Sequence, residues 1–284
     1  MAERKRVLIT GHLGFIGRVI TRHLRAANHD VWGIDRIPGN DDQSFVADLL
    51  DSQRTSKLMS DIPDFQVLIH MAALAHRQKP PPSYSMLDVN FSITKNIISS
   101  LGQRMPHLIF LSSIAVYGED ERPQPVCVHA KPRPATEYGQ SKLVCENLIF
   151  TSHLVKCDIL RLAPVYDKQY LQDVAKRVYF PGLRGIKMRL VPPPYYSLCH
   201  VDRVAEMIKE CISESSLGRR VLHVADPEPY SQHQLLEWFE GIEIAFPVIF
   251  ARPIYMLGKM IPGSKGYAIR CLFSKLFLSN MYVA

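Results

Sequence analysis

A chain of 284 residues, 47% apolar and 21% charged, is long enough for one large domain or a domain with a smaller lobe, and too apolar to be disordered. Its net charge of +7 and pI near 9.1 favour anionic partners: nucleic acid is one, and a pyrophosphate ligand is another that agrees better with the glycine loop below. No apolar run approaches a membrane span, the amino-terminal residues do not read as a signal peptide, and six scattered cysteines read as reduced thiols of a cytoplasmic protein rather than a disulfide frame or metal site.

In chain order, residues 7–10 form a short buried-type strand and residues 13–27 a helix opened by glycines. A second strand, 31–34, ends at Asp35. A third, 45–47, is followed by Asp48, and a fourth, 67–70, runs into Ala72 and Ala73. The break at Pro80-Pro81-Pro82 precedes a helix over 84–101. A strand over 108–111 follows, then a proline-rich polar stretch, 119–134, expected to be a loop over the site. The helix bearing Tyr138 and a strand over 158–161 come next. Beyond Pro164 the alternation loosens into a helix over 201–213, a strand over 221–224, a helix over 232–239, and a final stretch that mixes apolar and basic residues. Alternating strands and helices predict a parallel sheet with helices on both faces.

Gly11, Gly14 and Gly17 lie between the first strand and the first helix. At such a turn a side chain would obstruct a pyrophosphate, whose charge the free amides of the helix start attract. Asp35 stands at about the 20-residue interval where a carboxylate accepts hydrogen bonds from the adenosine ribose and repels a 2′-phosphate. This favours NAD. Arg36 follows at once and offers a phosphate partner, so NADP stays open.

Tyr138 and Lys142 are one helical turn apart, and Ser113 ends a strand upstream, at the sheet edge where open α/β folds bind ligands. Oxidising a secondary alcohol requires removal of its hydroxyl proton as hydride leaves carbon. Tyrosine, with a free pKa of about 10, needs a nearby ammonium to act as the base. Ser113 would hold the substrate oxygen in line. A second Tyr-to-Lys pair at the same spacing, Tyr255 and Lys259, lacks an upstream strand and hydroxyl, and serves as an internal control on coincidence.

With these motifs, Asp48-Leu49, His70-Met71-Ala72-Ala73, Asn90, the run Ser112 to Gly118, Arg161 to Tyr166, and His200-Val201-Asp202, the chain resembles the extended short-chain dehydrogenase/reductase superfamily, in its nucleotide-sugar epimerase/dehydratase branch. The resemblance implies an α/β fold: a Rossmann-type doubly wound parallel sheet over 1–165, to which later segments could return, and a small C-terminal substrate lobe over 166–284. It implies NAD held by Gly11, Leu13, Gly14, Phe15, Ile16, Gly17, Asp35, Arg36, Asp48, Leu49, Met71, Ala72, Ala73, Asn90, Tyr138, Lys142, Pro164 and Val165. Ser113, Tyr138 and Lys142 would be catalytic. Ser113 and Tyr138, with Arg189 and Arg252 on the pyrophosphate, would bind a nucleoside-diphosphate sugar. No metal or nucleic acid is implied. A homodimer would form through the helices near 84–101 and 137–152, whose apolar residues, among them Ile93, Ile97, Val144, Leu148 and Ile149, occupy more than one face.

Departures narrow the reaction. Where the 4,6-dehydratases of this branch carry an Asp-Glu pair, Ile114 and Ala115 stand, and neither transfers a proton. Tyr166-Asp167 replaces the common Tyr-Gly-Pro. The leading expectation is an NAD-dependent C4 epimerase of surface-polysaccharide sugar synthesis. A 4-ketoreductase using NAD(P)H and the same residues is the alternative, and a non-catalytic dinucleotide-binding scaffold a remote one.

Overall fold

The computed structural model describes residues 3–39, 41–75, 79–118, 124–183 and 185–283. The first half runs β1 (Arg6–Thr10), α1 (Phe15–Ala26), β2 (Asp30–Asp35), β3 (Ser44–Val46), α2 (Ser52–Asp61), β4 (Val67–His70), α3 (Met86–Ser100) and β5 (His107–Ser113), followed by a 3₁₀ turn at Ile114–Tyr117. Next come β6 (Val126–Cys127), α4 (Glu137–Phe150), β7 (Lys156–Leu162), β8 (Val165–Tyr166), α5 (Gln172–Ala175), β9 (Ile186–Val191), β10 (Tyr195–Tyr196) and β11 (Cys199–His200). The chain closes with α6 (Val201–Ser213), β12 (Gly218–Val224), β13 (Tyr230–Ser231), α7 (Gln232–Leu236), β14 (Ile242–Pro247), a 3₁₀ turn at Val248–Ala251, α8 (Arg252–Met260), α9 (Gly263–Phe277) and β15 (Tyr282–Val283).

Two compact units result. The first holds residues 1–117, 132–162 and 201–224, and the second holds 118–131, 163–200 and 225–284. The chain therefore passes between units several times, with residues 201–224 returning to the first. In the first unit seven parallel strands lie in the order β12-β7-β5-β4-β1-β2-β3. The order reverses between β1 and β4, the switch point where doubly wound sheets open a crevice at their carboxyl ends. This is the Rossmann-type α/β fold expected. The central strands Val67–His70 and His107–Ser113 are buried along nearly their whole length, as strands covered on both faces must be. α3 packs between α2 and α4, while α1 packs beside α6.

At the other end of the sheet a buried ionic staple joins three strands. Asp158 on β7 accepts from His107 on β5 at 2.8 Å, and from Arg220 on β12 at 2.7 and 2.9 Å. These partners overcome the burial of Asp158 and hold its carboxyl far below the usual range.

The second unit has its own cores. Tyr196, Leu198, Leu235 and Leu236 are buried together, as are Ala251, Tyr255 and Phe273. Its strands pair in short two-stranded ladders, the longest joining β9 and β14 in parallel. Of the expected loop over 119–134, residues 119–123 lie outside the described residues. Residues 126–127 form β6, paired with β15 in the second unit. α2, β9 and β14 are elements the sequence reading did not anticipate. α2 is mostly polar, with Thr55 and Met59 buried, so its apolar stripe is thin.

Candidate active site

The glycine loop is built by close approach. Gly11 follows β1 with φ of 77°, and its N–H donates to the Ile34 carbonyl at 2.8 Å. A Cβ on Gly17 would sit 2.3 Å from the Gly11 carbonyl oxygen, so only glycine lets the first turn of α1 rest on the loop. Phe15 and Ile16, half-buried, open α1 beside it. Asp35 ends β2 with both carboxylate oxygens engaged: Leu13 N–H donates at 3.0 Å and Arg36 N–H at 2.7 Å. The carboxylate is thereby fixed before any ligand arrives.

Beside this loop lies a cavity of about 470 Å³. Ten of the residues assigned to the cofactor line it: Gly11, Leu13, Gly14, Asp35, Arg36, Asp48, Leu49, Met71, Ala72 and Ala73. Ile34, Ile37, Ala47, Leu50, Leu74, Pro81, Val89 and Ile93 line it too, and sequence reasoning missed them. Their only signal was apolar character next to the acidic and proline landmarks.

Asn90 is placed differently from its neighbours on that list. It is 1% exposed, and its amide is committed: it accepts from Leu74 N–H at 2.7 Å and donates to the Leu74 carbonyl and to Ser141 Oγ. It ties the segment after β4 to α4. A parallel link runs through buried His70, whose ring bonds Thr10 Oγ1 at 2.7 Å and Thr94 Oγ1 at 3.1 Å. Thr10 Oγ1 accepts in turn from the amides of Met71 and Ala72. Burial drives the His70 pKa down to about 3, the Lys142 charge adding to it, so the ring is neutral at ordinary pH.

The structure brings Ser113, Tyr138 and Lys142 to one end of the sheet. Ser113 is the last residue of β5, and its Oγ accepts from Ala115 N–H at 3.2 Å. Thr136 caps α4, its hydroxyl accepting from Gly139 N–H at 3.1 Å, which places half-buried Tyr138 in the first turn. A Cβ on Gly139 would stand 2.4 Å from the Ala115 carbonyl oxygen. The glycine after Tyr138 thus permits α4 to close on the turn that follows Ser113.

Lys142, 4% exposed, points its Nζ to the Leu111 carbonyl at 2.8 Å, 4.8 Å from the Phe110 ring centroid and 5.9 Å from that of Tyr138. Burial lowers its pKa to about 8, against the opposing pull of Cys145 and Glu146.

Beneath this lysine is a buried network the sequence reading did not assemble. Glu146, 1% exposed, receives Arg161 in a two-pronged ion pair at 3.1 and 2.7 Å, and Ser112 Oγ at 2.5 Å. Arg161 also donates to the Tyr117 hydroxyl, which bonds His223. The signal was present: Tyr138, Lys142 and Glu146 follow one another at four-residue steps on one helix face.

Other assigned residues fall in the second unit. Pro164 accepts from Cys199 N–H, and Val165 pairs with Cys199 between β8 and β11. Arg189 is ion-paired to Glu243 at 3.2 Å, a carboxylate shared with Lys187, and Arg252 is exposed at the start of α8. Tyr255, of the control pair, is a packing residue: it is 8% exposed, its ring lies 4.7 Å from that of Phe273, and the Lys259 ammonium sits over it. All six cysteines are free thiols. Among the described residues no three His, Cys, Asp or Glu side chains group as metal ligands, and no helix is long and apolar enough to cross a membrane.

A family model described as the NAD dependent epimerase/dehydratase family matches residues 7–189. The UDP-glucose 4-epimerase of Streptomyces lividans is 28% identical over 153 residues, which is 50% of this chain and 46% of that protein. The GDP-6-deoxy-D-mannose reductase of Pseudomonas aeruginosa is 29% identical over 149 residues, 51% of this chain and 46% of the relative. The chain spans about half the length of these curated relatives. Among solved structures, the Bordetella bronchiseptica enzyme WbmG in complex with NAD and UDP superposes with a TM-score of 0.70 at 16% identity, covering 98% of this chain and 85% of the other. That likeness is one of fold.

Proposed function

This chain belongs to the NAD-dependent epimerase/dehydratase family, and from that premise we propose that it is an epimerase acting at C4 of a nucleoside-diphosphate sugar through a transient 4-keto sugar, in surface-polysaccharide sugar synthesis. The observation that carries this reading is the convergence of Ser113, Tyr138 and buried Lys142 at the sheet end, in the same unit as the glycine-lined cavity.

The cavity residues suit NAD. Gly14 presents no side chain where a pyrophosphate would approach the start of α1, and the pre-oriented Asp35 carboxylate suits ribose hydroxyls. Held by these residues, NAD would supply the acceptor and donor of the hydride exchanged at the sugar carbon. The protein supplies the proton path. Tyr138, as phenolate, takes the C4 hydroxyl proton, and Ser113 Oγ holds that oxygen in line. The Lys142 ammonium stabilises the phenolate electrostatically, and its burial strengthens the effect by excluding water. Once the keto sugar has turned, Tyr138 would return the proton to its oxygen as hydride is delivered to the opposite face. Ile114 and Ala115 offer no acid or base for loss of water, so dehydration is disfavoured.

A 4-ketoreductase would use the same three side chains, and the reductase among the relatives supports keeping it as a second reading. The test is incubation of the purified protein with UDP-hexoses, without added cofactor. Interconversion of the C4 epimers is the expected result. Stoichiometric consumption of NADH or NADPH with a 4-keto nucleotide sugar, and no interconversion, would decide for the reductase.

A further inference from the structure

From Ile244 to Ala284 the chain contains Arg252, Lys259, Lys265, Arg270 and Lys275, and neither Asp nor Glu. In the same stretch large apolar side chains face outward. Ile249 and Phe250, in the turn before α8, are 64% and 66% exposed. Along α8, Ile254, Met256, Leu257 and Met260 are 46%, 58%, 52% and 80% exposed.

The helix geometry explains how both can hold. Tyr255 and Gly258 are the buried residues of α8, and they share one side. At about 100° per residue, Met256, Leu257 and Met260 fall on the opposite side, with Arg252 and Lys259 along its border. α8 is thus apolar on two faces. One is spent on the Phe273 core; the other meets solvent. Exposed Lys265 and Lys275 on α9 extend the positive field. Scattered exposed apolar residues need no explanation, but a run of six on one turn and one short helix, with Arg252 and Lys259 along one border, does.

We propose that this outward face of α8 is an interfacial docking surface for an anionic phospholipid bilayer. Two observations choose that occupant. An exposed apolar stripe bordered by Lys and Arg is the composition that seats a helix at the headgroup boundary, apolar side inward and cations toward lipid phosphates. The absence of Asp and Glu side chains from this stretch lowers the repulsion an anionic surface would otherwise meet. With only about two turns of helix involved, the contact is peripheral and reversible.

The test is co-sedimentation of the full chain with vesicles of phosphatidylcholine alone, and of phosphatidylcholine with phosphatidylglycerol. Binding is expected only to the second. It should weaken sharply between about 0.1 and about 1 M salt, as the Debye length falls from about 10 to about 3 Å. Met256→Asp combined with Met260→Asp should lower binding at least about tenfold, and Lys259→Glu with Lys275→Glu should do the same. Met256 and Met260 are exposed, so unchanged thermal melting is expected to accompany the loss in that variant. Equal binding to both vesicle types, or none to either, would overturn the proposal. So would a drop in molar mass in light scattering for the Met256/Met260 variant without any vesicle binding by the parent, which would identify a second copy of the chain as the occupant.

Discussion

Tyr138 and Tyr255 head identical Tyr-to-Lys spacings and end in different surroundings. Tyr255 is packed on Phe273, whereas Tyr138 is half-buried beside the turn after Ser113. Tyr138→Phe should keep the fold and lower turnover by about 10²- to 10⁴-fold, since it removes the proton path. Tyr255→Phe, which keeps the ring in its core, should leave turnover nearly unchanged; the opposite pattern in steady-state assays would show that the wrong pair has been chosen. Asp35 permits a second test at this scale. Its carboxylate, held by the amides of Leu13 and Arg36, should repel a 2′-phosphate, so titration is expected to show tighter binding of NAD(H) than NADP(H). Asp35→Ser should narrow or reverse that preference, with Arg36 left as the phosphate partner.

Two contacts decide how the elements meet. The first is Gly139 against the Ala115 carbonyl. Gly139→Ala would force α4 away from the backbone it touches, at a cost of about 1–3 kcal/mol, and would shift Tyr138 with it. Activity should therefore fall by more than the loss of folded protein accounts for, measured as kcat against the melting curve. The second is His70, which joins β1 and β4 to α3 while staying neutral. Its folded pKa of about 3 lies below the unfolded value of 6.5. Below pH 6.5 the unfolded chain therefore binds a proton the folded chain refuses. The sign follows: this contribution to stability is full above pH 6.5 and is lost as pH falls toward 3, at up to about 1.4 kcal/mol per pH unit. In denaturant titrations, His70→Gln should be less stable at pH 7 and should show a flatter decline between pH 6 and 4.

For the whole molecule, α3 and α4 are the elements expected to carry a dimer contact. Of the five apolar residues that suggested it, Ile93, Ile97 and Ile149 are buried in the chain's own core and are unavailable to a partner. Val144 and Leu148 remain half-exposed on α4. If a homodimer forms there, light scattering should give twice the chain mass at micromolar concentration, and Val144→Arg should yield a folded monomer. An unchanged mass for that variant would place any assembly elsewhere.

The sequence by itself determined the strand-helix alternation, the glycine loop with Asp35, and the Ser113, Tyr138 and Lys142 set. Each depends on local rules: period, turn chemistry, and the spacing of one helical turn. Tertiary structure alone decided the rest. Whether a Tyr-Lys pair faces a site or a core depends on what packs against it, which is why Tyr138 and Tyr255 diverge. Glu146 reads as one more helix polar residue until Arg161, on the next strand β7, pairs with it in the buried interior. That the Asn90 amide joins Leu74 to Ser141 is likewise visible only in the fold. The weak stripe of α2 and the short paired strands β9 and β14 gain their stability from neighbours rather than from their own pattern, so no window of sequence displays them. The two-faced α8 is the same lesson reversed: its composition is plain in the chain, but only the buried side chosen by Tyr255 and Gly258 reveals which apolar residues are left outside.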